Sequence, residues 1–171
     1  TFATFSPDGQ LVLTVARDNA ARVWVAATGQ PCSAPMCHDP SVVTGDLLST
    51  GSKPLEACFS PDGTFVATAS VDGTARIWEA RTGTPRSPPL PHPDWVSSAR
   101  FSPDGRLVAT TCRDGLVRLW NVAQGTPTGP VFRHAKWVNT VEFSPDGVRL
   151  LAADDDGVAQ VWDIRTGAAV G

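Results

Sequence analysis

The sequence has no apolar run of membrane-spanning length, no cluster of basic residues and no segment with a sustained helical period. Without such an apolar run we expect no helical membrane anchor, and neither end of the chain resembles a signal peptide. The net charge is −3, with acidic and basic residues interspersed, which is unlike the basic footprint of a nucleic-acid-binding protein. We therefore expect no membrane partner and no nucleic acid partner.

Cysteine is scarce, and its four occurrences follow no pattern. Cys32, Cys37, Cys58 and Cys112 do not recur at one position of the repeat described below, so they are not a disulfide framework. Whether Cys32 and Cys37 pair with each other stays open. This use of cysteine favours a reducing compartment, and we expect a cytoplasmic protein.

A repeated pattern dominates the sequence. The segment Phe-Ser-Pro-Asp-Gly begins at residues 5, 59, 101 and 143, which gives steps of 54, 42 and 42 residues. A Trp lies 19 residues after each Phe, an Asp six residues before that Trp, and a Gly five residues after it. The Trp residues are Trp24, Trp78, Trp120 and Trp162, and the Asp residues are Asp18, Asp72, Asp114 and Asp156. Landmarks that stay in register four times indicate an internal repeat.

Each repeat has the features of four short antiparallel strands joined by turns. In Ser102–Gly105, the Ser, Pro and Gly stand where a type I turn prefers them, between a strand ending at Phe101 and one over 107–112. Asp-Gly pairs such as Asp114-Gly115 predict the next hairpin, and runs such as 116–120 are rich in β-forming residues. An outer strand over 127–132 would complete the unit. We predict that the Asp of the repeated segment is a turn residue and not a catalytic carboxylate.

Four-stranded sheets that repeat about every 42 residues are typical of β-propeller blades. The chain resembles the WD-repeat family in its FSPDG segments, in SVDG at 70–73, and in the closing segments IWEA, LWNV and VWDI. We predict an all-β fold of β-propeller blades, each with four antiparallel strands, about four blades in all and the last incomplete. The predicted blades span about 1–37, 56–91, 96–133 and 138–171, with an insertion loop at about 44–55.

Rings of the WD-repeat family usually contain more than four blades. We therefore expect the chain to be a fragment of a longer propeller, or to complete its ring with a second copy, because open blade faces would expose apolar surface. The composition is rich in Ala, Arg, Pro and Gly and poor in Lys, which favours a propeller of bacterial type.

The resemblance implies a buried hydrogen-bond network in each blade, formed by a His, a Ser or Thr, the turn Asp and the Trp. In the third and fourth repeats, 28 residues separate the His from the Trp, which supports this assignment. Cys112 and Asp154 stand at the hydroxyl position in these two repeats, and the insertion leaves His38 doubtful. The predicted members are Ser70, Asp72 and Trp78, then His92, Asp114 and Trp120, and then His134, Asp156 and Trp162.

The same resemblance implies that the face with the His loops binds a protein or peptide. Positions used there lie three and five residues after the His and directly before the turn Asp. The predicted partner-binding residues are Trp95, Trp137, Arg17, Arg113, Asp155, Ser97 and Asn139. Trp and Arg are frequent energetic anchors of interfaces. Alternatively, Trp95 caps the core, because it shares strand parity with Ala99 and Phe101.

Three chemical alternatives compete with this interpretation. Ser70, Asp72 and a histidine are the residue types of a hydrolase triad, but each coincides with a repeated structural position. The segment 32–38 carries two cysteines and a histidine, yet it lacks the usual zinc spacing and a fourth ligand. The acidic run at 154–157 lacks the pattern of a calcium loop. We expect no enzyme, no metal and no cofactor.

The expected function is that of a noncatalytic protein–protein interaction scaffold. An alternative is a regulatory or sensory propeller portion of a larger multidomain signalling protein, such as a kinase fusion. Further blades in cis, or a second copy in trans, are expected to cover the blades at the two ends.

Overall fold

The structure, a computed structural model, describes residues 2–16, 18–39 and 55–170. These residues form fifteen β-strands and no helix. Arg17 and residues 44–54 of the predicted insertion lie outside the described residues. The strands are β1 Phe2–Phe5, β2 Leu11–Val15, β3 Ala20–Val25, β4 Met36–Cys37, β5 Leu55–Phe59, β6 Phe65–Ser70, β7 Thr74–Glu79, β8 Leu90–Pro91, β9 Val96–Phe101, β10 Leu107–Cys112, β11 Leu116–Asn121, β12 Thr126–Arg133, β13 Val138–Phe143, β14 Arg149–Asp154 and β15 Ala159–Asp163.

The strands form four antiparallel sheets, and each sheet takes its strands in chain order. Three sheets have four strands, and the fourth sheet has three, β13-β14-β15. The predicted all-β fold with an incomplete last unit is therefore confirmed. The outer strand is long only in the third sheet, where β12 has eight residues, whereas β4 and β8 have two each. Within the described residues, no helix is long and apolar enough to span a bilayer.

The repeated Ser-Pro-Asp-Gly segment forms the turn between the first two strands of each sheet. In the third sheet the Gly105 N–H donates to the Ser102 carbonyl at 2.9 Å, and the Ser102 hydroxyl donates to the Asp104 carboxylate at 2.6 Å. This hydroxyl, followed by the Arg106 N–H, lowers the pKa of the Asp104 carboxyl. Gly105 has a φ of +70°, which glycine adopts without steric cost. In this turn the Asp is therefore a hydrogen-bonded turn residue, as the sequence predicts.

Apolar side chains fill the three spaces between neighbouring sheets. Representative members are Leu13, Val23, Met36 and Val66 in the first space, Ile77, Leu90, Val108 and Trp120 in the second, and Leu119, Phe132, Val141 and Leu150 in the third. Strands with a sheet on both sides are buried almost continuously, as β6 and β10 show. In contrast, β14 alternates between exposed and buried residues, because only one of its faces is covered.

An ion-pair chain connects the first strands of three sheets. Arg100 on β9 bonds Glu56 on β5 through its Nη2 at 2.7 Å and Glu142 on β13 through its Nε at 3.1 Å. Burial lowers the pKa of the Arg100 guanidinium, but the Glu56 carboxylate outweighs burial, so the pKa rises above its usual value. The inner strands of adjacent sheets are thus joined by charge as well as by packing.

Candidate interaction face

A threonine on the second strand accepts the indole N–H of the Trp in each of the first three sheets. Trp24 donates to Thr14, Trp78 to Thr68 and Trp120 to Thr110, each at 2.8 Å. These threonines lie ten residues before their Trp and nine after the repeated Phe, a spacing that the sequence analysis overlooked. The sequence analysis predicted that the Ser70 hydroxyl belongs to the network with Trp78. In the structure the Ser70 Oγ instead accepts the Asp72 N–H at 3.2 Å.

In the second sheet this network extends through His38. The His38 Nε2 lies 2.7 Å from Thr68 Oγ1, and its Nδ1 lies 2.9 Å from Asp72 Oδ2, with both side chains buried. Burial raises the pKa of the Asp72 carboxyl, but hydrogen bonds from His38 and Thr74 outweigh burial and hold it well below its usual value. The structure therefore includes His38, despite the insertion that made its role doubtful.

The third sheet keeps the His and the Trp but separates the Asp from them. His92 Nε2 lies 2.8 Å from Thr110 Oγ1, and its Nδ1 lies 3.0 Å from the Leu90 carbonyl oxygen. Asp114 instead pairs with Arg118 at 2.5 Å. Because burial disfavours the imidazolium, the pKa of His92 is lowered to about 4. The predicted contact between His92 and Asp114 is replaced by these two local pairs.

The fourth sheet has Ala152 at the threonine position. Trp162 Nε1 therefore donates directly to His134 Nε2 at 3.3 Å. His134 Nδ1 lies 3.4 Å from Asp154 Oδ2, whereas Asp156 is exposed and only its backbone N–H bonds Asp154, at 3.2 Å. Asp154, at the end of β14, thus takes the place that the sequence analysis gave to Asp156.

These contacts bear on the chemical alternatives. Both nitrogens of His38 are engaged by Thr68 and Asp72, so neither is available to activate Ser70 as a hydrolase would require. All four cysteines are free thiols. Among residues 2–16, 18–39 and 55–170, no group of three His, Cys, Asp or Glu side chains is placed to hold a metal ion.

The loops of the third and fourth sheets bring three of the predicted partner-binding residues, Trp95, Arg113 and Trp137, into one stack. The Arg113 guanidinium carbon lies 3.7 Å from the ring centroid of Trp95 and 4.5 Å from that of Trp137. The cation therefore lies against two indole rings, an arrangement that cation–π attraction stabilises. Trp137 is 48% exposed, and Trp95 and Arg113 are partly buried. We call these three residues the Trp–Arg–Trp stack.

Backbone bonds hold the stack in place. The Arg113 N–H donates to the Trp95 carbonyl at 3.0 Å, which fixes the turn between β10 and β11 against the loop before β9. The same turn packs on the next sheet, because a Cβ atom on Gly115 would lie 3.1 Å from the His134 carbonyl oxygen and 3.2 Å from that of Lys136. Glycine at 115 thus permits the close approach that lets Arg113 reach Trp137.

Two more of the predicted partner-binding residues, Asp155 and Asn139, lie beside the stack. Asp155 is exposed, its N–H donates to the Trp137 carbonyl at 2.9 Å, and its carboxylate accepts the Asn139 amide at 3.3 Å. Ser97 is partly buried on β9. Arg17 lies outside the described residues, and contacts bring together the other five of the seven predicted residues, in loops and strand ends of the third and fourth sheets.

The repeated antiparallel sheets and their buried Trp–Thr–His contacts define a protein built from propeller blades. The WD40 family, described as WD domain, G-beta repeat, matches residues 1–25, 45–79, 87–121 and 125–163. The chain therefore belongs to the WD40 family, whose repeats serve as protein-interaction scaffolds.

Similar proteins include the eukaryotic translation initiation factor 3 subunit I of Pyricularia oryzae, 33% identical over 83 residues, or 48% of this chain and 21% of that protein. The WD repeat-containing protein 82 of Drosophila melanogaster is 35% identical over 79 residues, or 46% of this chain and 22% of that protein. The match thus spans about a fifth of these relatives. Both come from eukaryotes, so the expected bacterial type has no support.

Among solved structures, the crystal structure of the computationally designed Ika8 protein superposes with a TM-score of 0.77. The superposition covers 98% of this chain and 46% of the designed chain, at 22% sequence identity. This likeness shows the fold alone.

Proposed function

We propose that this chain is a noncatalytic scaffold that binds a protein or peptide on the face formed by the Trp–Arg–Trp stack. The observation that carries the proposal is the partly exposed stack itself. Trp and Arg are the residues most often found as energetic anchors of interfaces. Backbone bonds already order this cluster, so a partner would bind a preformed surface at a low entropic cost.

The experiment is a selection of phage-displayed random linear peptides on the immobilised protein. We expect selected peptides to lose binding to the Trp137→Ala variant, which removes the most exposed ring of the stack. The matched control is Phe5→Ala, which removes a 66% exposed aromatic side chain from the first sheet. Binding that survives Trp137→Ala but not Phe5→Ala would place the partner site on the first sheet and contradict the proposal.

The outer faces of the first and fourth sheets are proposed sites for further blades in cis or for a second copy in trans. Leu151 is 45% exposed, whereas its equivalents Leu13, Ala67 and Ala109 are buried against the following sheet. Phe5 is 66% exposed, whereas its equivalent Phe101 is 8% exposed. Such faces are covered between neighbouring blades, which supports a covering partner here.

Light scattering behind a sizing column tests the second copy. A mass of twice the 18.0 kDa chain, reduced to one chain by Leu151→Glu, would support it. If both proteins are monomers, the second copy is ruled out and the proposal that remains is that further blades in cis cover these faces. The expectation that the chain is a fragment of a longer propeller belongs to this second alternative. The two relatives described above give no support for a kinase fusion.

We also propose a cytoplasmic location, since none of the four cysteines is paired in the structure. Labelling of the native protein with a thiol reagent, expected at the exposed Cys37, checks that this thiol is free.

A further inference from the structure

The Arg113 guanidinium has a geometry that leaves its donors unused. Its guanidinium carbon lies 3.7 Å from the centroid of the Trp95 ring and 4.5 Å from that of the Trp137 ring, and neither contact gives its N–H groups an acceptor. Among the described residues, no acceptor lies within hydrogen-bond or salt-bridge distance of these N–H groups. A guanidinium offers parallel N–H donors that match the two oxygens of a carboxylate.

The acidic residues beside the stack have other partners, and none of them pairs with this cation. Asp114 pairs with Arg118 at 2.5 Å, and Asp155 accepts the Asn139 amide at 3.3 Å. Asp94 accepts the N–H of Trp95 at 2.7 Å. Arg113 therefore differs from Arg22, Arg100 and Arg118, each of which has a carboxylate partner within the chain.

The surroundings also restrict the kind of anion. Asp94, Asp155 and Asp156 are exposed in the loops around the stack, where the cations are Arg113 and the exposed Lys136, and the chain carries a net charge of −3. The three carboxylates outnumber the two cations, which disfavours a strongly acidic segment, whereas a single carboxylate matches the paired donors of the Arg113 guanidinium. The Trp137 indole lies against the guanidinium and is 48% exposed, so it offers apolar contact to a neighbouring side chain.

We propose that the Trp–Arg–Trp stack binds one Asp or Glu side chain of an extended peptide in which the adjacent residue is apolar. The carboxylate accepts two N–H bonds from Arg113, and the apolar neighbour packs on Trp137. This inference rests on the proposed scaffold function and adds the chemistry by which the partner is recognised.

The test uses small peptides with both ends blocked, so that only the side chain supplies a carboxylate. Acetyl-Leu-Glu-amide is titrated into the isotope-labelled protein, and the side-chain Nε–H signal of Arg113 is followed by NMR. We expect a saturable shift of this signal and at least about tenfold weaker binding of acetyl-Leu-Gln-amide, since a charged acceptor strengthens the bonds to the guanidinium. Acetyl-Ser-Glu-amide should also bind more weakly, because it lacks the apolar neighbour.

A matched pair of variants separates the site from general charge effects. Arg113→Gln should abolish the peptide-induced shifts of the Trp95 and Trp137 indole signals. Arg106→Gln removes an exposed arginine at the opposite end of β10 and should leave them unchanged. Backbone amide spectra of both variants show whether the fold is retained, and Arg113→Lys, which keeps the charge but not the paired donors, is a second variant for the same comparison.

Equal binding of the Glu and Gln peptides would overturn the proposal, as would tighter binding of acetyl-phosphoserine-amide. Absence of any shift, together with phage-selected peptides that still depend on Trp137, would overturn the carboxylate inference and leave the scaffold function standing. If the blocked peptides cause no shift and the phage-selected peptides do not depend on Trp137, the scaffold function on this face is overturned as well.

Discussion

At the residue scale, Thr68 shows how one hydroxyl supports two buried partners. It accepts the Trp78 indole N–H at 2.8 Å and lies 2.7 Å from His38 Nε2. The change Thr68→Val keeps the shape of the side chain but leaves Trp78 Nε1 and His38 Nε2 without this partner. We expect the free energy of unfolding to fall by about 2–3 kcal/mol, since each unsatisfied buried group costs about 1–3 kcal/mol. Urea denaturation followed by tryptophan fluorescence measures this loss.

The control for Thr68→Val is Ser70→Ala on the same strand. Ser70 accepts only the Asp72 N–H, at 3.2 Å, so its removal should cost less than about 1 kcal/mol. If Ser70→Ala were the more damaging change, Ser70 would hold the role that the sequence analysis gave it.

The histidine of the third sheet predicts a pH dependence. Burial lowers the pKa of His92 from 6.5 to about 4, so the unfolded chain binds a proton more readily than the folded one. Stability is therefore complete above pH 6.5 and is lost as the pH falls towards about 4. Because the ring is partly exposed, we expect His92 to account for about 1–2 kcal/mol of this loss.

Comparison with His92→Gln isolates this contribution. Urea midpoints measured between pH 7 and pH 4 should fall less steeply for the variant, which has no imidazole at position 92. The carboxyl of Asp72 does not disturb this window: its pKa is lowered in the folded state, so its contribution is lost only as the pH falls below 3.8. Parallel profiles for the two proteins would show that His92 is not the titrating group.

Residue spacing explains why the sequence analysis chose Ser70 and not Thr68. The two residues lie two apart on β6, so alternation places both side chains on one face. Only the register distinguishes them: Trp78 lies opposite Val66, which makes Thr68 its diagonal neighbour and leaves Ser70 two residues farther along the strand. The Thr that recurs ten residues before three of the Trp residues was a signal in the sequence, but the register of the folded sheet is what identifies it as the partner of the indole.

At the element scale, the first strands of three sheets depend on Arg100. The change Arg100→Met keeps the length of the side chain but leaves the Glu56 carboxylate, whose side chain is 25% exposed, without its cation. We expect a loss of about 1–3 kcal/mol in the free energy of unfolding, below that of a fully buried pair. Thermal denaturation followed by circular dichroism measures the change.

The matched variant for Arg100→Met is Glu142→Gln. The Glu142 side chain is 61% exposed, and exposed ion pairs contribute about 0–1 kcal/mol. A similar loss for both variants would mean that the connection to β13, and not the one to β5, carries the stabilisation.

The strands themselves were predictable because turn residues mark their ends. The strand predicted over 107–112 is β10, bounded by the Ser102–Gly105 turn and by Asp114-Gly115. The contact of Arg113 with Trp137 was not predictable in the same way. It connects two sheets, and its distance depends on how closely the turn at Gly115 packs on the next loop.

At the scale of the whole molecule, stability should decline towards the fourth sheet. This sheet has three strands, lacks the threonine beneath its Trp, and leaves Leu151 and Val158 about half exposed. In an array of repeats each unit is stabilised by its neighbours, so a unit with one covered face opens more readily. We expect amides of β14 and β15 to exchange with deuterium at least tenfold faster than those of β10 and β11.

Mass-spectrometric hydrogen exchange at several protein concentrations checks this prediction. Protection of β14 that rises with concentration would show a second copy on the outer face. Equal protection of the third and fourth sheets at low concentration would contradict the predicted decline.

The Trp–Arg–Trp stack has a consequence for how such a chain can change by gene duplication. Arg113 belongs to the third repeat and Trp137 to the fourth, so the stack is encoded by two successive units. A tandem copy of the third repeat would bring its own Trp and Arg and create a second stack. A copy of the fourth repeat, with Asp155 at the arginine position, would add an indole but no cation. The valency of the surface is therefore set by the order of the repeats and not only by their number.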